Sequence, residues 1–161
     1  MRRYQPDSEG SVNARFHTKV LKFFPDAKQS EQLNYALVRG GKVVHRRTLM
    51  ETQGGTSGLS GSVSRFHVTP GHRLFVVYPI VDTGRDGRRM MENRIVEILP
   101  DGSIGIPVRI PLEKPFIGFF TTTVRAGSPL SWTLEMLGQC ERVPNTISYA
   151  RVNLTRRITS R

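Results

Sequence analysis

Hydrophobic positions along the chain fall in short runs separated by turn-forming residues, a pattern typical of β-strands. Apolar and polar side chains alternate along Arg94–Ile98 and Ile104–Ile110, the period expected of a strand with one buried face. Only Leu130–Leu137 suits a short helix, which would end at Gly138, and a surface turn is the alternative there. The chain is therefore predicted to be all-β. The predicted strands are Phe16–Phe24, Leu33–Val38, Lys42–Leu49, Val63–Val68, Arg73–Ile80, Arg94–Leu99, Ile104–Ile110, Phe116–Val124 and Thr146–Leu154.

Internal repetition organises these strands into units. The triplet Arg15-Phe16-His17 recurs fifty positions later as Arg65-Phe66-His67, and Asn34, Asn93 and Asn145 each stand near the start of a strand–turn–strand segment. A period of about fifty residues with about four short strands is the size of a β-propeller blade. We predict a partial β-propeller of about three four-stranded blades, at approximately 15–61, 62–112 and 113–158. These form a single repeat domain, 15–161, behind a loose N-terminal segment, 1–14, and a β-sandwich is the alternative fold.

The lengths of the connections distinguish two faces of the predicted blades. Tight turns are expected at Arg39–Lys42, Thr69–His72 and Pro100–Ser103. All the longer connections fall on the opposite face. Loops above a rigid scaffold often carry function, so this long-loop face is the predicted binding surface. The longer connections are Pro25–Gln32, Thr52–Gly61, Val81–Glu92 and Pro111–Pro115.

Charge is the strongest signal in the composition. The 161 residues include 24 Lys and Arg against 13 Asp and Glu, and the net charge of +11 favours a polyanionic partner. The arginines are scattered and no nucleic-acid-binding motif accompanies them, so nucleic acid is expected to bind only non-specifically. No apolar run is long enough to span a bilayer and no signal peptide is visible, which leaves the localisation open. One cysteine excludes an internal disulfide, and the four histidines lack metal-ligand spacing, so neither a metal nor another cofactor is predicted.

Two short motifs resemble those of a known family. Leu99-Pro100-Asp101-Gly102-Ser103 resembles an Asp-box turn, although no Trp follows its glycine. Val108-Arg109-Ile110-Pro111 resembles an Arg-Ile-Pro motif, although it closes a predicted blade instead of opening the first. With the strands around them, they make the chain similar over about residues 11–158 to sialidase-like, BNR-repeat β-propellers. Such propellers have six blades, so the resemblance implies half a ring, and we expect a homodimer that completes it.

Six residues are candidates for ligand binding. Arg85 and Arg88 belong to a loop rich in arginine, and a guanidinium there is a candidate to bind a carboxylate or sulfate. The alternative is that the loop is a solvated hairpin tip without a ligand. Arg65 and His67 share one side of a strand. They contact ligand if that side lines a channel, and they make structural hydrogen bonds if Phe66, on the other side, fills the core. The other two candidates are Arg125, as an anion-binding group, and Trp132, which either stacks on a sugar or packs in the core.

No catalytic constellation is visible in the sequence. The resemblance implies a tyrosine nucleophile beside a carboxylate, but the spacing pairs neither Tyr78 nor Tyr149 with Glu97 or Glu135. We therefore predict a carbohydrate-directed module that binds an anionic glycan through arginines. Catalysis is left unassigned, and an enzyme of this kind would be a glycosidase-like hydrolase. The alternative is a structural or protein-interaction half-propeller that self-associates and has no specific ligand.

Overall fold

The computed structural model describes residues 30–53, 64–83, 88–122, 127–141, 143 and 145–154, and these residues form nine β-strands and no helix. The prediction of an all-β chain is confirmed. The predicted segment 1–14 and strand Phe16–Phe24 lie outside the described residues. Within them, no helix exists that is long and apolar enough to cross a membrane. The strands are β1 (Ser30–Arg39), β2 (Lys42–Gln53), β3 (Arg65–Val68), β4 (Leu74–Thr83), β5 (Arg89–Ile98), β6 (Val108–Arg109), β7 (Phe116–Thr121), β8 (Thr133–Cys140) and β9 (Ser148–Asn153).

The strands form three antiparallel sheets in chain order. Sheet A is the hairpin β1–β2, sheet B is β3–β4–β5–β6, and sheet C is β7–β8–β9. Sheet B contains four strands in the unit 62–112, as predicted, each paired with the next. The last is only Val108–Arg109 instead of the predicted Ile104–Ile110, and Ile104 forms an isolated bridge with Ile98. Its β3–β4 turn is closed by the His72 N–H, which donates to the Thr69 carbonyl at 2.9 Å. In the turn that follows β5, the Gly102 N–H donates to the Leu99 carbonyl at 2.8 Å, so the tight turns expected at both positions are confirmed.

Sheet B lies between the other two sheets, which explains the unbroken apolar run in its strand β4. Residues 75–80 are all buried, and a strand buried on both faces need not alternate. Its even-numbered side chains share a hydrophobic cluster with sheet A, and Val77 belongs to a second cluster with sheet C. The first cluster contains Tyr35, Leu49, Val76, Tyr78, Ile80, Val96 and Ile98. The second contains Val77, Ile110, Phe116, Phe119, Leu134, Met136 and Cys140. The described fold is thus a stack of three sheets.

Two local expectations are wrong. The segment Leu130–Leu137, expected as a short helix or a surface turn, supplies most of the central strand of sheet C, β8. Alternate side chains along β8 are buried, so packing against sheet B imposes a period of two. The connection expected over Val81–Glu92 is also shorter than predicted. Its ends continue the hairpin β4–β5 as far as the pair Thr83 and Arg89, because backbone pairing tolerates the polar residues there.

Asn93 of β5 joins sheet B to sheet C. Its side chain is 1% exposed; Oδ1 accepts a hydrogen bond from the Phe116 N–H at 2.7 Å, and Nδ2 donates to the Phe116 carbonyl at 3.0 Å. The amide therefore pairs with the first residue of β7 much as a neighbouring strand would. Asn34 and Asn145, which occupy similar positions in the sequence repeat, are both exposed. The repeat marks strand boundaries but not a shared role for asparagine.

Sheet A contacts sheet B at the turn that resembles an Asp-box. The Tyr35 hydroxyl donates to the Gly102 carbonyl, and His45 Nε2 lies 2.9 Å from the same oxygen. Gly102 has a φ of +79°, and a Cβ there would lie 2.8 Å from His45 Nε2, so the turn requires glycine. Asp101 Oδ1 accepts from the Ser103 hydroxyl at 2.6 Å and from its N–H at 2.9 Å. These two hydrogen bonds lower the pKa of Asp101.

Candidate ligand-binding groove

The outer face of sheet C, which points away from sheet B, carries an exposed apolar row. Alternation along β8 buries Leu134 and Met136 against sheet B and places Leu137 on the outer face. The strand register sets Phe120 beside Leu137, and Leu137 beside Tyr149. Phe120 is 69% exposed and Tyr149 is 56% exposed. The row thus presents two aromatic rings to solvent from neighbouring strands.

A groove of about 710 Å³ includes part of this row. That volume lies within the usual range for small-ligand sites. Sheet B contributes Arg65 to its wall, and sheet C contributes Phe120 and Leu137. A guanidinium, an aromatic ring, amides and a hydroxyl therefore surround one space. The other side chains of its wall are those of Phe119, Gln139, Asn145, Thr146 and Ile147.

Gly138, one of two glycines that line the groove, allows β7 and β8 to lie close together. A Cβ at Gly138 would overlap the Gly118 carbonyl oxygen and lie 2.7 Å from the Phe119 Cα, whereas a Cβ at Gly118 would meet nothing within 4 Å. A register shift between Phe116 and Gly118 marks a β-bulge at the same place. The shape of the groove therefore depends on the absence of a side chain at Gly138.

Arg65 brings positive charge to the groove. Its guanidinium carbon lies 5.6 Å from the centre of the Phe120 ring, and Nη1 donates to the adjacent Ser64 carbonyl at 3.0 Å. No carboxylate among the described residues forms an ion pair with it. Four other arginines of sheets B and C lie beside glutamates, which weaken their attraction for an external anion, although Arg94 and Arg109 share one carboxylate. These pairs are Arg73 with Glu97, Arg94 and Arg109 with Glu92, and Arg151 with Glu135.

A tyrosine–carboxylate pair lies on the same outer face. The Tyr149 hydroxyl donates to Glu135 Oε1 at 2.8 Å, and Arg151 Nε lies 3.6 Å from that oxygen. The fold thus brings together two residues that sequence spacing could not pair. The hydrogen bond to the Glu135 carboxylate raises the pKa of Tyr149 above its ordinary value, at which a phenol is already protonated at neutral pH. In this state the Tyr149 hydroxyl is a hydrogen-bond donor.

His67, although predicted with Arg65, is a structural residue in this fold. It is 4% exposed, and its Nε2 lies 2.9 Å from the Ser131 carbonyl oxygen, which ties β3 to the segment before β8. Phe66 is 52% exposed. The expected alternation is present, but the histidine is inside because it has a hydrogen-bond partner there, and the phenylalanine is outside.

The remaining predicted residues do not line the groove. Trp132 is 46% exposed and precedes β8, at the end of that strand away from the groove. Arg88 is exposed and immediately precedes β5. Arg85 and Arg125 lie outside the described residues. No group of three or more metal-ligating side chains occurs in the part of the chain that the structure describes.

Several groove residues were missed by the sequence analysis. Phe120, Gln139 and Ile147 belong to different strands and connections, and no sequence spacing relates them to Arg65. The sequence analysis took Gly138 for the end of a short helix, whereas it lies inside β8, where a glycine often marks a close backbone approach. Comparisons with protein-family models, curated proteins and solved structures found no match to this chain.

Proposed function

We propose that the chain is a carbohydrate-directed module that binds an anionic glycan in the groove of sheet C. The Arg65 guanidinium carries this proposal, because no described carboxylate pairs with it and it lies over the exposed ring of Phe120. An anionic sugar needs a cation for its carboxylate or sulfate, a flat apolar surface for its ring, and hydrogen-bonding groups for its hydroxyls. Arg65, Phe120 and the amides of Gln139 and Asn145 meet these three needs.

We also propose that the three sheets are successive propeller-like blades. Sheet B is a four-stranded antiparallel meander, and sheets A and C pack on its two faces, as neighbouring blades do. The described residues form three stacked sheets, whereas a simple β-sandwich has two. We assign binding to the module and leave hydrolysis unassigned, because the described residues that line the groove include no carboxylate that could act as a general acid.

A glycan array at low and at physiological salt tests the binding proposal. The native chain is compared with Arg65→Ala and with Arg46→Ala, which removes an exposed arginine of sheet A and changes the net charge equally. We expect binding to one class of acidic sugar that survives physiological salt, is lost in Arg65→Ala and is retained in Arg46→Ala. Equal binding to all polyanions that disappears as salt rises would reduce the interaction to screened long-range attraction and refute a specific site.

Self-association is the second candidate function, and the outer faces of the stack favour it. Phe120 and Leu137 are exposed on sheet C, Ile147 is exposed just before β9, and Val38 and Val43 are exposed on sheet A. No described segment covers either group. A dimer that pairs these faces would bury them and complete a ring of six blades.

Light scattering of the 18.2 kDa chain distinguishes these states. We expect twice the monomer mass at micromolar concentration, and a shift to monomer in Leu137→Lys, because a buried unpaired ammonium opposes association. A native chain that is monomeric under these conditions would contradict self-association without affecting the glycan proposal.

A further inference from the structure

The end of the β1–β2 hairpin extends beyond the part that packs on sheet B. Tyr35 and Leu49 are buried in the cluster with sheet B, and His45 Nε2 lies 2.9 Å from the Gly102 carbonyl oxygen. Every position from 36 to 44 is exposed, so the end of the hairpin is open to solvent on both faces. From His45 to the turn it extends about 10 Å at the rise of an extended chain. We call residues 36–44 the hairpin arm.

Two glycines give the hairpin arm a narrow end. Gly40 and Gly41 have φ angles of +55° and +74°, as in the tight two-residue turn that glycine favours. A Cβ built on either glycine would meet no atom beyond its chain neighbours within 4 Å. The arm is therefore a two-stranded ribbon that ends in open space.

The charges in and beside the hairpin arm are all positive. Arg39 and Lys42 pair across the arm and flank its turn, and Arg46 and Arg47 follow on β2. All four are exposed, and no carboxylate among the described residues forms an ion pair with any of them. The sequence contains no acidic residue from position 32 to position 50. The arm is therefore a site of concentrated positive charge, which favours an anionic partner.

Apolar side chains lie beside these charges. Val38 and Val43 pair across the arm, next to the pair of Arg39 and Lys42, and they are 57% and 62% exposed. Leu37 and Val44 are also exposed. Exposed apolar groups rimmed by polar residues are typical of binding surfaces. A partner that fits this pattern is anionic along the edges of a cleft and less polar at the floor of the cleft.

We infer that the hairpin arm binds duplex DNA by entering the major groove. Phosphates line both edges of that groove and base edges form its floor. It is about 12 Å wide and 8.5 Å deep, and it admits a two-stranded β-ribbon. The arm is long enough to bring Arg39 and Lys42 to the O6 and N7 atoms of guanine, which both side chains recognise. Arg47, nearer to sheet B, lies at the height of the phosphates, and Val38 and Val43 contact the base edges.

Three other anionic partners fit the hairpin arm less well. Double-stranded RNA has a deep and narrow major groove that does not admit a ribbon. A membrane would have to take up Arg39 and Lys42 before the valines, and charge is costly in hydrocarbon. A sulfated polysaccharide matches the charge but has no cleft for Val38 and Val43. The inference does not depend on the glycan site at Arg65, and it is an alternative to a dimer that buries the two valines.

Fluorescence anisotropy of a labelled DNA duplex of mixed sequence, at physiological salt, tests the inference on the full chain. Separate arms of the experiment use double-stranded RNA of the same sequence, heparin, and vesicles that contain phosphatidylserine. We expect saturable binding to DNA, about 10-fold tighter than binding to RNA, and protection of guanine N7 from dimethyl sulfate. Equal affinity for DNA and RNA, binding only to heparin or vesicles, or unprotected guanine N7 in the complex would overturn the inference.

Variants distinguish the hairpin arm from the general attraction of a basic chain. Arg39→Ala combined with Lys42→Ala should weaken DNA binding about 10-fold or more and remove the protection of guanine N7. The control, Arg109→Ala with Arg151→Ala, removes two exposed cations elsewhere and the same net charge, and should weaken binding less than about 3-fold. Arg47→Ala should reduce the slope of log affinity against log salt by about 1. Each variant is first checked for a native thermal midpoint, and equal losses of affinity in the two double variants would refute the site.

Discussion

Asn93 provides the sharpest test of how the sheets are held together. Replacing it with alanine removes both hydrogen bonds to Phe116 and leaves the N–H and the carbonyl of that buried residue without their side-chain partner. Each buried polar group left unpaired costs about 1–3 kcal/mol, so we expect the loss of both partners in Asn93→Ala to lower the free energy of unfolding by about 2–6 kcal/mol. That is a large part of the stability of an ordinary domain.

Urea unfolding, with the free energy taken from the midpoint and slope, measures this loss. Asn34→Ala is the matched control, because Asn34 is exposed and accepts one hydrogen bond from the Thr48 hydroxyl at 2.7 Å. It should cost no more than about 1 kcal/mol. Amide hydrogen exchange adds a local readout, since the Phe116 N–H should lose protection in Asn93→Ala and keep it in Asn34→Ala. Equal losses in the two variants would refute the role of Asn93 as the link between sheets B and C.

The substitution Asn93→Asp examines the same link by charge. The new carboxylate still accepts from the Phe116 N–H but turns an oxygen toward the Phe116 carbonyl, in a buried site. Burial raises the pKa of such a group, so the variant should recover stability relative to the native chain as pH falls and the carboxyl becomes a donor. A loss of unfolding free energy in Asn93→Asp that is the same at all pH values would contradict this geometry.

Three further predictions concern stability. Gly138→Ala should lower the free energy of unfolding by about 3 kcal/mol or more, because the new Cβ would overlap the Gly118 carbonyl oxygen. Gly118→Ala should lower it by less than about 1 kcal/mol, and urea unfolding of both variants measures the difference. Burial raises the pKa of Tyr78 in the folded chain, so the phenol ionises at lower pH in the unfolded chain than in the folded one. The free energy of unfolding should therefore fall as pH rises above about 10, and it should fall less steeply in Tyr78→Phe. The pKa of Asp101 is lowered by the Ser103 hydroxyl and amide, so its contribution is complete above about pH 4 and is lost on acidification; Asp101→Asn should flatten the acid limb of the stability curve.

The sequence was a good guide wherever one local signal decided the structure. Turn residues located the β3–β4 turn and the turn after β5, and the continuous apolar run of β4 is that of a strand covered on both faces. Prediction failed for Leu130–Leu137, where residues of mixed propensity become the central strand of sheet C. Pairing with β7 and β9 on either side imposes that outcome, and the propensities of residues 130–137 alone do not include it.

The same limit applied to the orientation of the Arg-Phe-His triplet. Alternation predicts that His67 and Phe66 lie on opposite sides of β3, but it does not say which side is inside. The usual preference would bury the phenylalanine. The Ser131 carbonyl reverses this outcome, because it offers a hydrogen bond to His67 from a segment sixty-four residues away in the chain. The hydrophobic periodicity of β3 does not indicate a hydrogen-bond partner that is so distant in the chain.

The location of the proposed anion-binding site follows from how the glutamates are distributed, and composition alone could not reveal it. A net charge of +11 predicts attraction to anions but does not distinguish one arginine from another. In the folded chain, Glu92, Glu97 and Glu135 each lie beside an arginine of sheets B and C and reduce its attraction for an external anion. Arg65 has an aromatic ring in place of a carboxylate, and that ring borders a groove. Cross-strand neighbours therefore determine which positive charge remains available to a ligand, and this information arises only when the strands pair and the sheets stack.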